Sequence, residues 1–102
     1  MITRDTVDQL LEPIYEWLLR GGDAWQAGDR YWLIRRSLMD EGASFEGPGW
    51  NFLSDIDVAI DSYSPGDGRT PYQIDEAQLR REVTLAIEGL RSLGLAGSSE
   101  VD

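Results

Sequence analysis

The 102-residue chain contains no cysteine, no histidine and no lysine. Without cysteine and histidine it has no disulfide, no thiol nucleophile, no imidazole base and none of the usual zinc ligands. Without lysine it lacks both a Schiff-base amine and the lysine of a phosphate-binding loop. Only carboxylates, hydroxyls and arginines remain for chemistry. These absences narrow the kinds of catalytic site that the chain could contain.

Long apolar segments are also missing. The longest apolar runs have three or four residues, as at 32–34, whereas a membrane span needs about eighteen. Residues 1–5 do not have the pattern of a signal peptide. A hydrophobic fraction of 41% is ordinary for a globular domain. We expect one cytoplasmic domain over residues 1–95, monomeric when free, and a flexible tail over 96–102.

Negative charge dominates the composition. Nineteen Asp and Glu residues oppose nine arginines, for a net charge of -10. Such a protein repels nucleic acids and membrane surfaces and attracts basic partners, among them proteins that bind nucleic acid. No arginine lies between Ser37 and Gly68. That stretch holds seven carboxylates, at Asp40, Glu41, Glu46, Asp55, Asp57, Asp61 and Asp67. Like charges concentrated in this way cost stability, so we interpret them as a binding surface rather than as chance clustering.

Two apolar stripes in the first half of the chain predict helices. Apolar residues recur every three or four positions over 7–18, and Gly21 and Gly22 end this stripe. Pro13 interrupts it, which predicts either a kink or a helix that begins only at about residue 13. Asp23 is a predicted N-cap for a second helix that runs to about Met39, although Gly28 weakens this helix by about 1 kcal/mol.

Two further stripes complete the predicted fold. Apolar spacing over 50–63 predicts a third helix, with Pro48 in its first turn and a strong turn signal after it. Asp75 and Gln78 form a capping box before the fourth stripe, which Gly94 ends. The predicted fold class is all-α, an antiparallel four-helix bundle. A mixed α/β fold is the alternative, because β-branched residues alternate with aspartates over 55–61.

An acidic ridge is predicted on the third helix. Asp57 and Asp61 are four residues apart and share a face, while Asp55 is displaced to the side. Asp67, in the following turn, would extend the ridge. With no arginine nearby in the sequence, we expect these carboxylates to have no cation from the chain itself beside them.

An enzymatic alternative depends on the same aspartates. Residues 54–60 resemble the metal-binding strand of minimal nucleotidyltransferases, in which two aspartates one residue apart hold Mg²⁺. That family also needs a Gly-Ser pair after an upstream strand and a third carboxylate on a later strand. The chain offers Gly42-Ala43-Ser44 without a strand, and turn and helix signals after Asp61.

Aromatic and arginine clusters favour structural roles. The four tryptophans lie at helical spacing and are interpreted as core residues, since the net charge opposes a base-stacking platform. The pairs Arg35-Arg36 and Arg80-Arg81 are interpreted as solvated or ion-paired residues rather than an anion site.

One stretch resembles a known family. Residues 61–65 read Asp-Ser-Tyr-Ser-Pro, the turn 66–69 reads Gly-Asp-Gly-Arg, and 72–75 read Tyr-Gln-Ile-Asp before a Leu-x-x-x-Val stripe at Leu79 and Val83. In this order and spacing, residues 55–90 resemble the colicin D immunity protein family. Weaker similarity covers 13–38, including the paired arginines. Residues 1–12 and the loop 40–49 look like additions to the family pattern.

The resemblance implies a function and a site. Family members are small acidic four-helix proteins that bind the catalytic domain of a toxin, an RNase that cleaves the anticodon loop of arginine tRNAs. Their carboxylates stand in for tRNA phosphates in its active-site cleft. By this resemblance Asp61 matches a contact carboxylate and Asp55 an acidic position at the start of the helix. A second contact carboxylate falls on Gly66, with Asp67 beside it.

We therefore predict an immunity protein that inhibits a basic, tRNase-like toxin and binds no nucleic acid or membrane itself. We expect it not to be an enzyme and to need no metal or cofactor. The predicted toxin-binding residues are Asp55, Asp57, Asp61, Tyr63 and Asp67. Two alternatives stay open, the minimal nucleotidyltransferase using Asp55 and Asp57 and a generic acidic mimic of nucleic acid directed at another DNA- or RNA-binding protein.

Overall fold

The computed structural model describes residues 2–65 and 73–96, which form four α-helices. These are α1 (Arg4–Arg20), α2 (Ala24–Asp40), α3 (Trp50–Ser62) and α4 (Glu76–Ser92). The all-α prediction is confirmed: α1 packs on α2 and α3 on α4 in a helical bundle, and the described residues form no strand. The three-residue connection between α1 and α2 makes these two helices an αα-hairpin. None of the described helices is both long enough and apolar enough to cross a membrane.

Side-chain caps begin three of the helices. The predicted N-caps are confirmed, since Asp23 accepts a hydrogen bond from the Trp25 amide at 2.9 Å and Asp75 accepts one from the Gln78 amide at 2.8 Å. Thr3 caps α1 in the same way. Each cap satisfies an amide that has no partner within its helix and contributes about 1 kcal/mol.

Two details of the predicted helices are wrong. α1 begins at Arg4 and continues through the buried Pro13, so the helix does not start at about residue 13, while the kink expected as the alternative stays a prediction. Burial of the apolar stripe on both sides of Pro13 offsets the roughly 3 kcal/mol that an interior proline costs. Pro48 precedes α3 instead of occupying its first turn. The N-cap is Gly49, whose φ of 97° is left-handed and whose missing side chain leaves room for Leu95 and Leu90.

The core is apolar and lies between the helices. Its largest fully buried side chains include Tyr31, Leu10, Leu11, Ile14, Leu53, Ile56 and Leu90. Each buried side chain of this size contributes about 1.5–3 kcal/mol, which is the main force holding the bundle together. Ala96, which the sequence analysis assigned to the tail, is also buried, and 97–102 lie outside the described residues.

Both segments that look like additions to the family pattern belong to the domain. The Ile2 amide donates a hydrogen bond to the Glu46 carbonyl at 3.0 Å, which joins the N-terminus to the loop before α3. Ile2 and Phe45 are buried with the core. The additions therefore pack against the bundle and against each other.

Candidate partner-binding surface

Asp57 lies at the seam between α2 and α3 and is held by two residues of α2. Arg35 Nε donates to one carboxylate oxygen at 3.1 Å, and Arg35 Nη2 donates to the other at 3.0 Å. The Tyr31 hydroxyl donates to the first oxygen at 2.5 Å. The Arg35 and Asp57 side chains are only 15% and 16% exposed. The expectation that no cation of the chain would offset the ridge is therefore wrong at Asp57.

The surroundings of this group reinforce the pairing. The Arg35 guanidinium lies 4.8 Å from the centre of the Phe45 ring and 5.7 Å from that of Trp32, both within cation–π range. Burial raises the pKa of the Tyr31 hydroxyl well above its ordinary value, and the charge of Asp57 and the hydrogen bond to it raise it further. Tyr31 therefore stays a neutral donor, and Asp57 has charged and neutral partners on the same side. This arrangement joins α2 to α3.

Asp55 and Asp61 differ from Asp57 because both are exposed and neither forms an ion pair with any residue in 2–65 or 73–96. At 3.6 residues per turn they lie about 120° apart around α3, on either side of the exposed Val58. Asp61 is in the last helical turn, where the helix dipole disfavours a negative charge by about 0.3–1 kcal/mol. A carboxylate at this position is therefore slightly unfavourable for the helix itself.

Tyr63 lies beside Asp61 at the end of α3. Its ring is half-buried and packs against Trp25 of α2, with ring centres 6.4 Å apart and planes inclined by 45°. A short parallel bridge to Ile74 fixes its backbone, with the Ser64 amide bonded to the Ile74 carbonyl at 3.1 Å. The structure therefore brings Asp61 and Tyr63 together. Asp67 lies outside the described residues, as does Gly66.

A cavity of about 260 Å³ opens between α2 and the end of α3. Among the described residues, its aromatic walls include Trp25, Trp32 and Tyr63, and its carboxylates are Asp29 and Asp61. Gly28 and Ile60 lie between them, and a Cβ on Gly28 would come within 2.9 Å of the Ile60 Cγ2 methyl. The absence of a side chain at Gly28 lets the two helices approach closely at this point.

The sequence analysis missed the α2 half of this cavity. Trp25, Asp29 and Trp32 follow one another at intervals of four and three residues, which places them on one face of α2. An acidic residue between two tryptophans at that spacing is the signal that could have identified it. The interpretation of all four tryptophans as core residues is wrong for Trp25 and Trp50, which are 56% and 40% exposed.

The paired arginines were predicted correctly. Arg35 pairs with Asp57, and Arg80 lies 4.6 Å over the Trp17 ring while it donates to the Leu18 carbonyl at 3.1 Å. Their neighbours Arg36 and Arg81 are exposed. Each pair therefore combines one packed arginine with one solvated arginine.

The strand on which the nucleotidyltransferase alternative depends is a helix here. Asp55 and Asp57 are therefore on different sides of α3 rather than on one face of a strand, and Asp57 is occupied by Arg35. No group of three or more potential metal-ligating side chains occurs in the part of the chain that the structure describes.

Comparison of the chain with family models, with curated proteins and with solved structures finds no match. The resemblance to the colicin D immunity family stays a prediction that depends on the motifs quoted above.

Proposed function

We propose that this protein is an immunity protein that binds the basic catalytic domain of an RNase toxin and blocks its active site. The observation that carries the proposal is the set of exposed carboxylates in the arginine-free stretch. Among described residues these form no ion pair, and they are Asp40, Glu41, Glu46, Asp55 and Asp61. Because these carboxylates form no ion pair within the described residues, they are available for the cations of a partner.

The chemistry of inhibition follows from this charge. An RNase cleft carries cationic groups that bind phosphates, and carboxylates form charge-assisted hydrogen bonds with those groups at about twice the strength of neutral ones. The net charge of -10 would also speed the encounter with a basic domain by about 10- to 1,000-fold at low salt. The inhibitor needs no catalytic group of its own.

Asp61 is the proposed central contact, with Tyr63 beside it, and Asp55 is a proposed contact on the other side of Val58. Asp57 supports the surface instead, because its carboxylate already has Arg35 and Tyr31 as partners. Asp67 keeps its predicted contact role by resemblance alone.

The direct test looks for a gene upstream of this one that encodes a large protein with a basic C-terminal domain, and combines that purified domain with the purified protein; a neighbourhood without such a gene would weaken the proposal. We expect tRNA cleavage to fall to background at one equivalent of protein, with tight binding in titration calorimetry. Undiminished cleavage at saturating protein would refute the proposal. Equally tight binding to unrelated nucleic-acid-binding domains would favour the generic acidic mimic instead.

Asp61→Arg tests the proposed contact. Reversing this charge should weaken toxin binding by about 2–5 kcal/mol, because the cations of the toxin are then desolvated without a partner. Glu88→Arg on α4 makes the same change in net charge and is the matched control. It should mainly slow association, an effect that added salt removes. Equal losses for the two variants would mean that Asp61 has no special role.

A further inference from the structure

We propose that the cavity between α2 and α3 binds the guanidinium group of one arginine side chain from the basic partner. This inference rests on the proposed function, since it names the group on the toxin that enters a particular site on the inhibitor. It concerns the cavity walls on α2, which neither the resemblance nor the acidic ridge includes.

The walls of the cavity suit a flat cation. Trp25 and Trp32 are two turns apart on the same face of α2. Tyr63 packs against Trp25 from the end of α3, while the Arg35 guanidinium lies 5.7 Å from the Trp32 ring. The faces of aromatic rings attract cations, most strongly the face of tryptophan, and a guanidinium group can also stack on them. Trp25 is 56% exposed, so its ring is accessible to a ligand.

The carboxylates of the cavity supply the complementary charge. Asp29 from α2 and Asp61 from α3 are both exposed, and neither is ion-paired within 2–65 or 73–96. A guanidinium group carries five N–H donors in a plane, so it can bond to carboxylates on two sides while its face lies against a ring. An ammonium group lacks this planar fork, which is why we assign the cavity to arginine rather than lysine.

The rest of the cavity lining is mixed. Gly28 and Ile60 offer no side-chain donor or acceptor, while Ser64 and Gln73 contribute polar side chains. The apolar part of the lining can pack against the methylene stem of an arginine whose charged group lies at the carboxylates.

Such an anchor would define the position of the inhibitor in the toxin cleft. Scattered surface carboxylates attract a basic protein without fixing its orientation, whereas binding energy concentrates in a few well-enclosed aromatic and arginine contacts. The cavity would then determine where on the toxin Asp55 and Asp61 bind.

The first experiment uses a small probe, N-acetyl-arginine amide, and follows the four tryptophan indole N–H signals by NMR. We expect shifts at Trp25 and Trp32 that saturate at millimolar probe, on the order expected for so small a ligand. Trp17, which is buried, and Trp50, which is outside the cavity, are internal controls. N-acetyl-citrulline amide has the same shape without the charge and should cause no saturable shift. Equal shifts from both probes, or equal shifts at all four tryptophans, would overturn the proposal.

Variants identify the groups that bind the probe. Trp25→Ala should weaken binding about two- to fivefold, the range for an exposed cation–π contact, and Asp61→Asn by up to about fivefold. Glu88→Gln on α4 removes one carboxylate outside the cavity and should leave the affinity unchanged. If Glu88→Gln weakens binding as much as Asp61→Asn, general charge explains the effect and the site is refuted. Tighter probe binding by Arg69→Ala would instead assign the cavity to an arginine of this chain and would also refute the proposal.

Measurements of toxin binding separate this inference from the proposed function. Trp25→Ala should weaken toxin binding at least about tenfold, as for an interface hot spot, without changing the melting temperature by more than a few degrees. If the variant binds the toxin as tightly as the wild type does, the arginine anchor is refuted while the immunity function stands. If the probe binds as expected but the protein does not inhibit the toxin, the immunity function fails and the cation-binding cavity stands.

Discussion

Asp57 and Asp61 lie one turn apart on α3 and carry the same charge, but they have different surroundings. Asp57 is 16% exposed and accepts hydrogen bonds from Arg35 and Tyr31. Asp61 is exposed at the rim of a cavity and forms no ion pair in the described part of the chain. One carboxylate joins two helices, and the other is available to a partner.

The residues that α2 presents to each aspartate account for the difference. Tyr31 and Arg35 are four residues apart and face Asp57, which closes the seam between the helices. One to two turns earlier, the same helix presents Trp25 and Asp29 toward Asp61, and the seam opens into the cavity. The role of an acidic residue here is set by the facing helix and not by its place in the acidic stretch. Four predictions test the contrast between the two aspartates and the packing of α2 against α3 around them.

The largest expected effect is on stability and distinguishes the two aspartates directly. Asp57→Ala should lower the free energy of unfolding by about 3 kcal/mol. The largely buried Arg35 then has no counter-charge, and the Tyr31 hydroxyl has no acceptor. Asp61→Ala should change it by no more than about 0.5 kcal/mol. Urea denaturation at neutral pH measures both. Similar losses at the two positions would mean that the comparison is wrong.

Alkaline pH provides a second test of the group formed by Tyr31, Arg35 and Asp57. Because the pKa of Tyr31 is raised in the folded protein, the unfolded chain releases this proton first as the pH passes about 10. The unfolded state then binds fewer protons than the folded state, so stability falls as pH rises, by about 1.4 kcal/mol per pH unit. Below that pH the contribution is fully present.

Tyr31→Phe is the control for this titration. The chain has no lysine or cysteine, and its other three tyrosines, Tyr15, Tyr63 and Tyr72, are common to both proteins, so their contributions cancel in the comparison. The stability difference between wild type and Tyr31→Phe should therefore shrink steadily above pH 10. Parallel stability curves from pH 9 to 11.5 would contradict the assignment.

Local sequence signals predicted most of the fold. The N-caps Asp23 and Asp75 and the four apolar stripes act within a few residues of themselves, so their consequences could be derived without knowing the rest of the chain. A helix start at about Pro13, one of the two expectations there, is wrong because the local cost of the proline is offset by the burial of residues that the helix brings together on both sides. Burial of that kind depends on the whole bundle.

The candidate site could be predicted only in part, and for the same reason. Asp61 and Tyr63 were identified from a motif that is continuous in sequence. The pairing of Arg35 with Asp57 joins residues twenty-two positions apart, and nothing local indicates which face of α2 meets which face of α3. The exposure of Trp25 was missed for the same reason, because helical spacing shows that residues share a face but not whether that face is covered.

Gly28→Ala tests how closely α2 and α3 pack where Gly28 meets Ile60. The added methyl group would crowd Ile60 Cγ2, at a cost of about 1–3 kcal/mol, while alanine stabilises the helix by about 1 kcal/mol relative to glycine. We expect a net loss of about 1 kcal/mol in thermal or urea unfolding. Ile60→Leu has no Cγ2 methyl, so the double variant should recover most of the loss. A stabilised Gly28→Ala single variant would mean that the helices can separate at no cost.

The smallest expected effect is the change in the free energy of unfolding when each aspartate is replaced by asparagine. Its sign differs between Asp61 and Asp57. Asp61→Asn should raise the free energy of unfolding by about 0.5 kcal/mol, because it removes a negative charge from the last turn of α3 and from a protein of net charge -10. Asp57→Asn should lower the free energy of unfolding, since Arg35 loses its counter-charge.

The gain at Asp61 should disappear at about 1 M salt, where the screening length is near 3 Å, while the loss at the largely buried Asp57 should persist. Urea denaturation at low and high salt measures both, because urea itself adds no ions. A clear loss of stability in Asp61→Asn would show that Asp61 holds the fold together, and it could then no longer be counted as a carboxylate kept free for a cation of the partner.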